Sequence, residues 1–406
     1  MTISIGPIGP ERAAEFRDVM AHAFGFDATP EGLDRFRPIF EAERSRCALD
    51  GDTVVGTLGA FSLDLTIPGT SIPCGGTTAV SVLPSHRRRG LLRQMMAAHL
   101  QDVAEHGEAI AALWASESSI YGRFGFGVAA RGVDLSIPRS HVGFHRLAAS
   151  GLRARIIEKD EAVKLLPQIH DRIRLDYPGF FARWQAWWDQ RWFADPKDLR
   201  NGYTPLRFAV VDDDSGPAGF AQYRQKFAWE EGHGNGKLEV HDLYGTSPES
   251  WAALWQLMLE HDLVARITAP LRSIDDPIFD LLEAGRRAQA ELSADTLWVR
   301  IVDLEGALAA RAYQGSGRVT LEVADPFRER TDVVTLVVED GKPHVERERR
   351  RVDVSVDIED LSGAYLGWSR FLNLAKSGRA KGDERALVEA DRLFGWPVTP
   401  WCPEIF

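Results

Sequence analysis

Thr77–Met96, TTAVSVLPSHRRRGLLRQMM, decides the reading of this chain. Val80, Val82 and Leu83 make an apolar, β-branched strand that Pro84 stops. Leu92, Met96, Leu100 and Val103 then recur on one helical face, and the pattern ends at Gly107. Between strand and helix runs a short basic loop, Arg87-Arg88-Arg89-Gly90-Leu91-Leu92-Arg93. A helix N-terminus offers unpaired N–H groups and the positive end of its dipole, which together bind phosphates. Gly90 lets a ligand approach the backbone without a Cβ in the way, and the arginines add fixed positive charge. The stretch reads as a diphosphate cradle.

A dinucleotide site would carry G-x-G-x-x-G and an NTPase G-x-x-x-x-G-K-[ST]; the loop has neither. Arg87-x-x-Gly90-x-Leu92 resembles the R/Q-x-x-G-x-G/A loop of the GNAT acyl-CoA N-acyltransferases, with Leu92 departing from the small last residue. HRRRGLL followed by SESSIYGRFGFG at Ser116–Gly127 resembles the Eis (enhanced intracellular survival) branch of that superfamily. The resemblance implies acetyl-CoA as cosubstrate, an amine as acceptor, no metal and a homohexameric assembly.

With 406 residues the chain has room for two to three domains. A formal net charge of −11 argues against a nucleic-acid partner and favours a cationic substrate through weak steering. Cys47, Cys74 and Cys402 lie far apart, and the histidines lack metal-ligand spacing, so neither a disulfide framework nor a zinc site is expected. The N-terminus lacks a basic and apolar leader pattern, and no run is long enough to span a bilayer, so a cytoplasmic enzyme is expected.

The expected fold class is α+β (mixed α/β) in three units. The first, 1–150, has the order strand, helix, hairpin at Asp50-Gly51-Asp52, strand, cradle, helix, strand, short helix, strand, which matches the GNAT layout. The second, 151–293, repeats that order of elements, but its loop Gly245-Thr246-Ser247-Pro248 lacks the arginines and the R-x-x-G spacing. It reads as a degenerate GNAT copy that does not hold CoA. The third, 294–406, opens on alternating strands, the first at Trp298–Val302, and ends in helices; it resembles the sterol-carrier-like domain that closes Eis proteins.

Forming an amide from a thioester requires a deprotonated amine, a stabilised oxyanion and a proton for the leaving thiolate. By position, the backbone of Val80-Ser81-Val82 is the candidate oxyanion and pantetheine contact. Tyr121 stands where the resemblance places the general acid, and the α-carboxylate of Phe406 where it places the general base. Read from residues alone, Tyr121 is as well a core aromatic of the 121–126 cluster, and the tail Trp396–Phe406 a hydrophobic strap that must pack somewhere. Ser116 reads as an N-cap; the resemblance puts Ser116 and Glu117 along the CoA arm. Phe36 and Glu404 are pocket candidates by position, in a cavity that the resemblance implies is wide, acidic and suited to aminoglycoside-like polycations. Phe181, Trp184, Trp188 and Trp192 read as a packed aromatic face or a subunit contact, and the charge run 346–351 as a solvated face. Two other readings are a GNAT acting on lysine side chains or peptide amines, and a CoA-regulated lipid-binding module.

Overall fold

A computed structural model describes residues 3–140, 143–145, 151–347 and 351–406, apart from the side chains of 293 and 294. The boundary expected at Ser150 and positions 348–350 of the charge run lie outside the described residues. No helix among the described residues is long and apolar enough to cross a membrane.

The first strands are β1 (Ile3–Gly6), β2 (Cys47–Asp50), β3 (Thr53–Ile67), β4 (Thr70–Val82), β5 (Ile110–Leu113) and β6 (Gly127–Pro138). Next come β7 (Ala154–Ile157), β8 (Arg207–Asp213), β9 (Gly216–Lys226), the small ribbon β10 (Trp229–Glu230) and β11 (His233–Gly234), then β12 (Gly236–Gly245), β13 (Val264–Ser273) and β14 (Gln289–Ile301). Apart from the ribbon, these form one twelve-stranded sheet in the order β1-β2-β3-β4-β5-β14-β6-β13-β12-β9-β8-β7. Each half contains one parallel pair, β4 with β5 and β12 with β13. The last strands are exchanged: β14 pairs with β5, setting Trp298 against Leu113, while β6 pairs with β13. Trp298–Val302 therefore does not open the third unit; residues 298–301 complete the large sheet.

Two features of the first half shape the site. β4 pairs with β5 only from Cys74 to Thr77, and β4 then runs on to Val82 without β5. On its other side the register against β3 shifts between Thr57–Ser81 and Gly59–Thr78, a bulge with Ala79 at φ +52°. The Thr57 hydroxyl donates to the Ala79 carbonyl at 2.7 Å and holds the bulge in place.

The helices of this half are α1 (Ala13–Phe24), α2 (Pro30–Phe36), α3 (Leu91–Glu105) and the short α4 (Ser118–Tyr121). α1 buries Ala13, Phe16, Val19 and Ala21 and stops at Gly25 in the left-handed region. Thr29 caps α2, its hydroxyl accepting from the Gly32 N–H at 3.1 Å. α3 buries Met96, Leu100 and Val103 of the expected face and adds Leu91 and Met95, while Leu92 is half-buried at the helix start.

The third unit is a five-stranded sheet, β17-β16-β15-β18-β19, with β15 (Gly317–Asp325), β16 (Arg330–Glu339), β17 (Lys342–Glu346), β18 (Val354–Asp357) and β19 (Ala380–Gly382). Its inner face is filled by its own helices: Val319, Leu321, Val323, Val334 and Leu336 share one buried cluster with Tyr365, Leu366 and Phe394. The helix Ile358–Ala364 lies against β6, where only a glycine fits: a Cβ on Gly127 would sit 1.9 Å from the Glu359 carbonyl oxygen. Arg300 of β14, fully buried, reaches Asp325 of β15 at 2.5 Å and ties the two sheets together.

Candidate active site

The separation of β4 from β5 opens a cavity of about 670 Å³ at the start of α3. Val80, Ser81 and Val82 form one wall, and Arg87, Arg88, Gly90, Leu91, Leu92 and Arg93 a second. Ser116, Glu117 and Tyr121 close it from the loop after β5. Past Thr77 the backbone of β4 has no strand on this side, so its polar groups are open to a ligand. Arg88 at φ +62° and Gly90 at φ +75° turn the chain into the helix, and beyond Gly90 only Gln94 lies within 4 Å of where a Cβ would stand. Arg87 is tied back to the Val82 carbonyl at 3.1 Å, and Arg93 stacks over Phe327 at 4.7 Å. Arg89 does not line the cavity; it bonds the Ser85 carbonyl at 3.3 Å on the outer side of the loop.

Tyr121 is 5% exposed, with its ring edge-on to Phe126 at 6.2 Å. Burial pushes its phenol up to about 12, against a hydrogen bond with Ser116 that lowers it, while the Glu117 charge raises it further. Ser116 is therefore not the cap of α4. That position belongs to Glu117, which makes no side-chain cap bond.

Phe36 and Glu404 lie elsewhere, around a second cavity of about 500 Å³ shared by α2, the second unit and the chain's end. Among the described residues its charged lining is Arg17, Arg35, Arg191 and Arg224, with Glu404 the one carboxylate. Glu404 is not free to meet a ligand. It forms an ion pair with Arg183 Nε, and its other oxygen accepts from Trp187 Nε1 at 3.1 Å and Trp192 Nε1 at 3.3 Å. Arg183 also reaches Asp242 at 2.6 Å, both buried, and lies 3.8 Å over the ring of half-buried Trp192. Burial works to lower the Arg183 pKa, but the two carboxylates outweigh it and raise it; burial likewise pushes Glu404 up against the pull of Arg183. The wide acidic cavity expected for a polycation is thus a cavity lined by arginines here.

The tail packs, as its apolar character requires. Trp401 is 1% exposed, donates its backbone N–H to the Pro178 carbonyl at 2.8 Å and its Nε1–H to the Leu271 carbonyl at 2.7 Å. Phe406 sets its ring edge-on to Phe181 at 5.5 Å and lines neither cavity. Of the expected aromatic face, Phe181 and Trp188 are buried and Trp184 and Trp192 half-buried against the core; Trp187, also buried, ends a short helix Gln185–Trp187 that widens into a π-turn over Trp188–Trp192.

Comparison with known proteins bears on this geometry. Residues 4–129 and 179–301 match two models of the acetyltransferase (GNAT) domain, and residues 304–403 match the sterol carrier protein domain. An uncharacterized N-acetyltransferase of Streptomyces avermitilis is 34% identical, with 96% of each chain covered. The N-acetyltransferase Eis of Mycobacterium tuberculosis is 31% identical over 91% of each. The chain belongs to the Eis family of GNAT N-acetyltransferases. The crystal structure of Eis1 from Mycobacterium abscessus superposes with a TM-score of 0.85 at 28% identity, covering 99% of this chain and all of that one. The Eis fold of tandem GNAT units and a sterol-carrier-like unit is therefore that of this chain, and it is an acetyltransferase. GNAT acetyltransferases use acetyl-CoA.

Sequence reasoning missed several residues of this Eis-family site. Phe24 at the end of α1 and Phe124 after Tyr121 line the first cavity, and both belong to apolar patterns that look like core. Arg17, Arg35, Arg191 and Arg224 come from four separate segments, and nothing in their spacing signals a common cavity.

Proposed function

We propose that this enzyme transfers acetyl from acetyl-CoA directly to a primary amine, without a covalent enzyme intermediate. The observation that carries the reading is the convergence on one cavity of the unpaired β4 edge, the Gly90 helix start and the Tyr121 hydroxyl. Arg88 and the first N–H groups of α3 hold the diphosphate, and Val80–Val82 run beside the pantetheine arm. Backbone N–H groups at the bulge face the thioester oxygen, which becomes the oxyanion as the amine adds. The new C–N bond forms and the C–S bond breaks; Tyr121 presents its proton to the departing sulfur. The α-carboxylate of Phe406 takes the proton that the amine loses. The family resemblance carries this last role; the Arg183–Glu404 pair fixes the tail two residues before that carboxylate, and the Phe406 ring packs on Phe181 outside both cavities.

A thiol-release assay with acetyl-CoA tests this across aminoglycosides, polyamines and lysine peptides. Turnover with at least one amine is expected, and Arg88→Ala should raise the KM for acetyl-CoA more than it lowers kcat, because diphosphate contacts bind ground and transition states alike. An unchanged KM in Arg88→Ala and in Gly90→Val would remove the cradle assignment.

A further inference from the structure

The second cavity holds an imbalance of charge. Arg17, Arg35 and Arg191 line it, and none has an ion-pair partner among the described residues. Two carboxylates near this cavity are committed: Asp195 pairs with Arg200 and Arg224, both at 2.9 Å, and Glu404 with Arg183, while Asp18, next to Arg17 on α1, acts on it without forming an ion pair. Burial lowers the Arg17 pKa, and repulsion by Arg35 adds to it against the opposing charge of Asp18. Two guanidinium donors, Arg17 Nε and Arg224 Nε, are buried without a hydrogen-bond partner. Gln222, 1% exposed, gives its amide N–H to the Trp192 carbonyl and keeps a buried Oε1 unpaired in the same wall. Arg191 is held open by a bond to the Ile405 carbonyl at 2.6 Å and by stacking over Trp187 at 5.1 Å. Buried donors and acceptors in folded proteins are nearly all paired, so a wall carrying several unpaired ones is shaped for a ligand. A chain of net charge −11 that gathers unpaired guanidiniums in one cavity has built an anion site.

The anion site adjoins the transfer site. Arg17 and Phe24 both stand on α1 and line different cavities, seven residues apart, about 10 Å along the helix. Phe36, in the second cavity, shares a packed cluster with Ala79 of the β4 bulge and Leu83. The two spaces thus flank the same helix and the same packed cluster.

The geometry points to an acceptor amine that carries an anionic oxygen group, carboxylate or phosphate, several bonds from its nitrogen, with Arg17, Arg35 and Arg191 as its binding residues. This deepens the transfer reading above and rests on it. Gln222 Oε1 adds one acceptor for a hydroxyl or amide N–H of the same molecule.

Four amines of one chain length provide the test: hexylamine, 6-aminohexanoate, 6-aminohexyl phosphate and 1,6-diaminohexane. In the full-length protein, kcat/KM for at least one anionic amine should exceed that for hexylamine by about 10- to 100-fold, the effect of one or two charge-assisted hydrogen bonds. The carboxylate and phosphate arms tell the two sources apart. Arg35→Gln should collapse the ratio through KM, and Arg35→Lys should restore part of it. A preference for hexylamine or the diamine, or a ratio that Arg35→Gln leaves intact, overturns the inference. Should no amine be acetylated, calorimetric titration of the same four compounds into the CoA-loaded protein decides it separately. Tighter, Arg35-dependent binding of an anionic amine would uphold the anion site while the transfer reading fails; equal binding of all four would end it.

Discussion

Replacing Tyr121 with phenylalanine keeps the ring against Phe126 and removes one proton. The size of the loss depends on what that proton does. A phenol near 12 facing a thiolate of ordinary pKa about 8.5 must give its proton uphill by about 3.5 units, about 5 kcal/mol. That is too much for full transfer to be the phenol's main contribution. The hydroxyl then acts chiefly as a hydrogen-bond donor to developing negative charge on sulfur, a contact of about 1.5–3 kcal/mol. Tyr121→Phe should accordingly lower kcat by roughly 10- to 150-fold, with the KM for acetyl-CoA little changed. The pH profile adds a second readout: because burial keeps the phenol protonated, wild-type kcat should show no alkaline fall from this group below about pH 11. Steady-state thiol release from pH 6 to 10 measures both. A loss beyond about 10³-fold would mean that the proton crosses completely and the energetic argument is wrong. A loss under about threefold would return Tyr121 to a packing role.

Other outcomes follow from the buried charges and the tail. Arg183→Met strands two buried carboxylates, Asp242 and Glu404, and should cost about 3–5 kcal/mol; adding Asp242→Asn and Glu404→Gln should recover most of it, as denaturant titration of the single and triple variants would show. His99 is buried, bonds the Thr77 hydroxyl at 2.7 Å, and has a pKa lowered to about 3 by burial. The unfolded chain takes up this proton below pH 6.5 while the folded one does not, so stability falls with pH across that window, by about 2 kcal/mol between 6.5 and 5. His99→Gln should flatten that slope, and an identical slope would refute the assignment. Three residues appended after Phe406 should lower kcat by at least about 10²-fold while acetyl-CoA binding survives; undiminished kcat would show that the terminal carboxylate is not the base.

The strand, basic loop and helix start beside the first cavity were legible because their signals are local: an apolar strand, then adjacent arginines and a glycine at the helix start. The order of elements in both halves followed from hydrophobic periodicity in the same way. Partnership was hidden. Trp298–Val302 has the alternation of any strand, and nothing in its residues says that it pairs with Leu113 rather than with the strands that follow it. Glu404 stands in a cavity wall, but no local signal shows that its charge is consumed by Arg183, 221 positions away. α2 was overlooked because its seven residues carry too little periodicity, though Thr29-Pro30 is a start signal. Long-range pairing is an outcome of tertiary packing, and a single sequence leaves little local trace of it.

The exchange of β6 and β14 has a consequence for how the enzyme is made. β6 finds both its neighbours, β13 and β14, in chain synthesised after it, and β5 lacks β14 until the same moment. As the chain emerges from the ribosome, the first 150 residues can order α3 and the hairpin of β3 and β4, but β6 has nothing to pair with. The cavity between β4 and β5 therefore reaches its final width only after Ile301 has been delivered, and the two halves close in one late, non-local step. Cutting the gene between them would not release a small acetyltransferase. It would leave a half-sheet with an exposed edge, the kind of surface that seeks another chain.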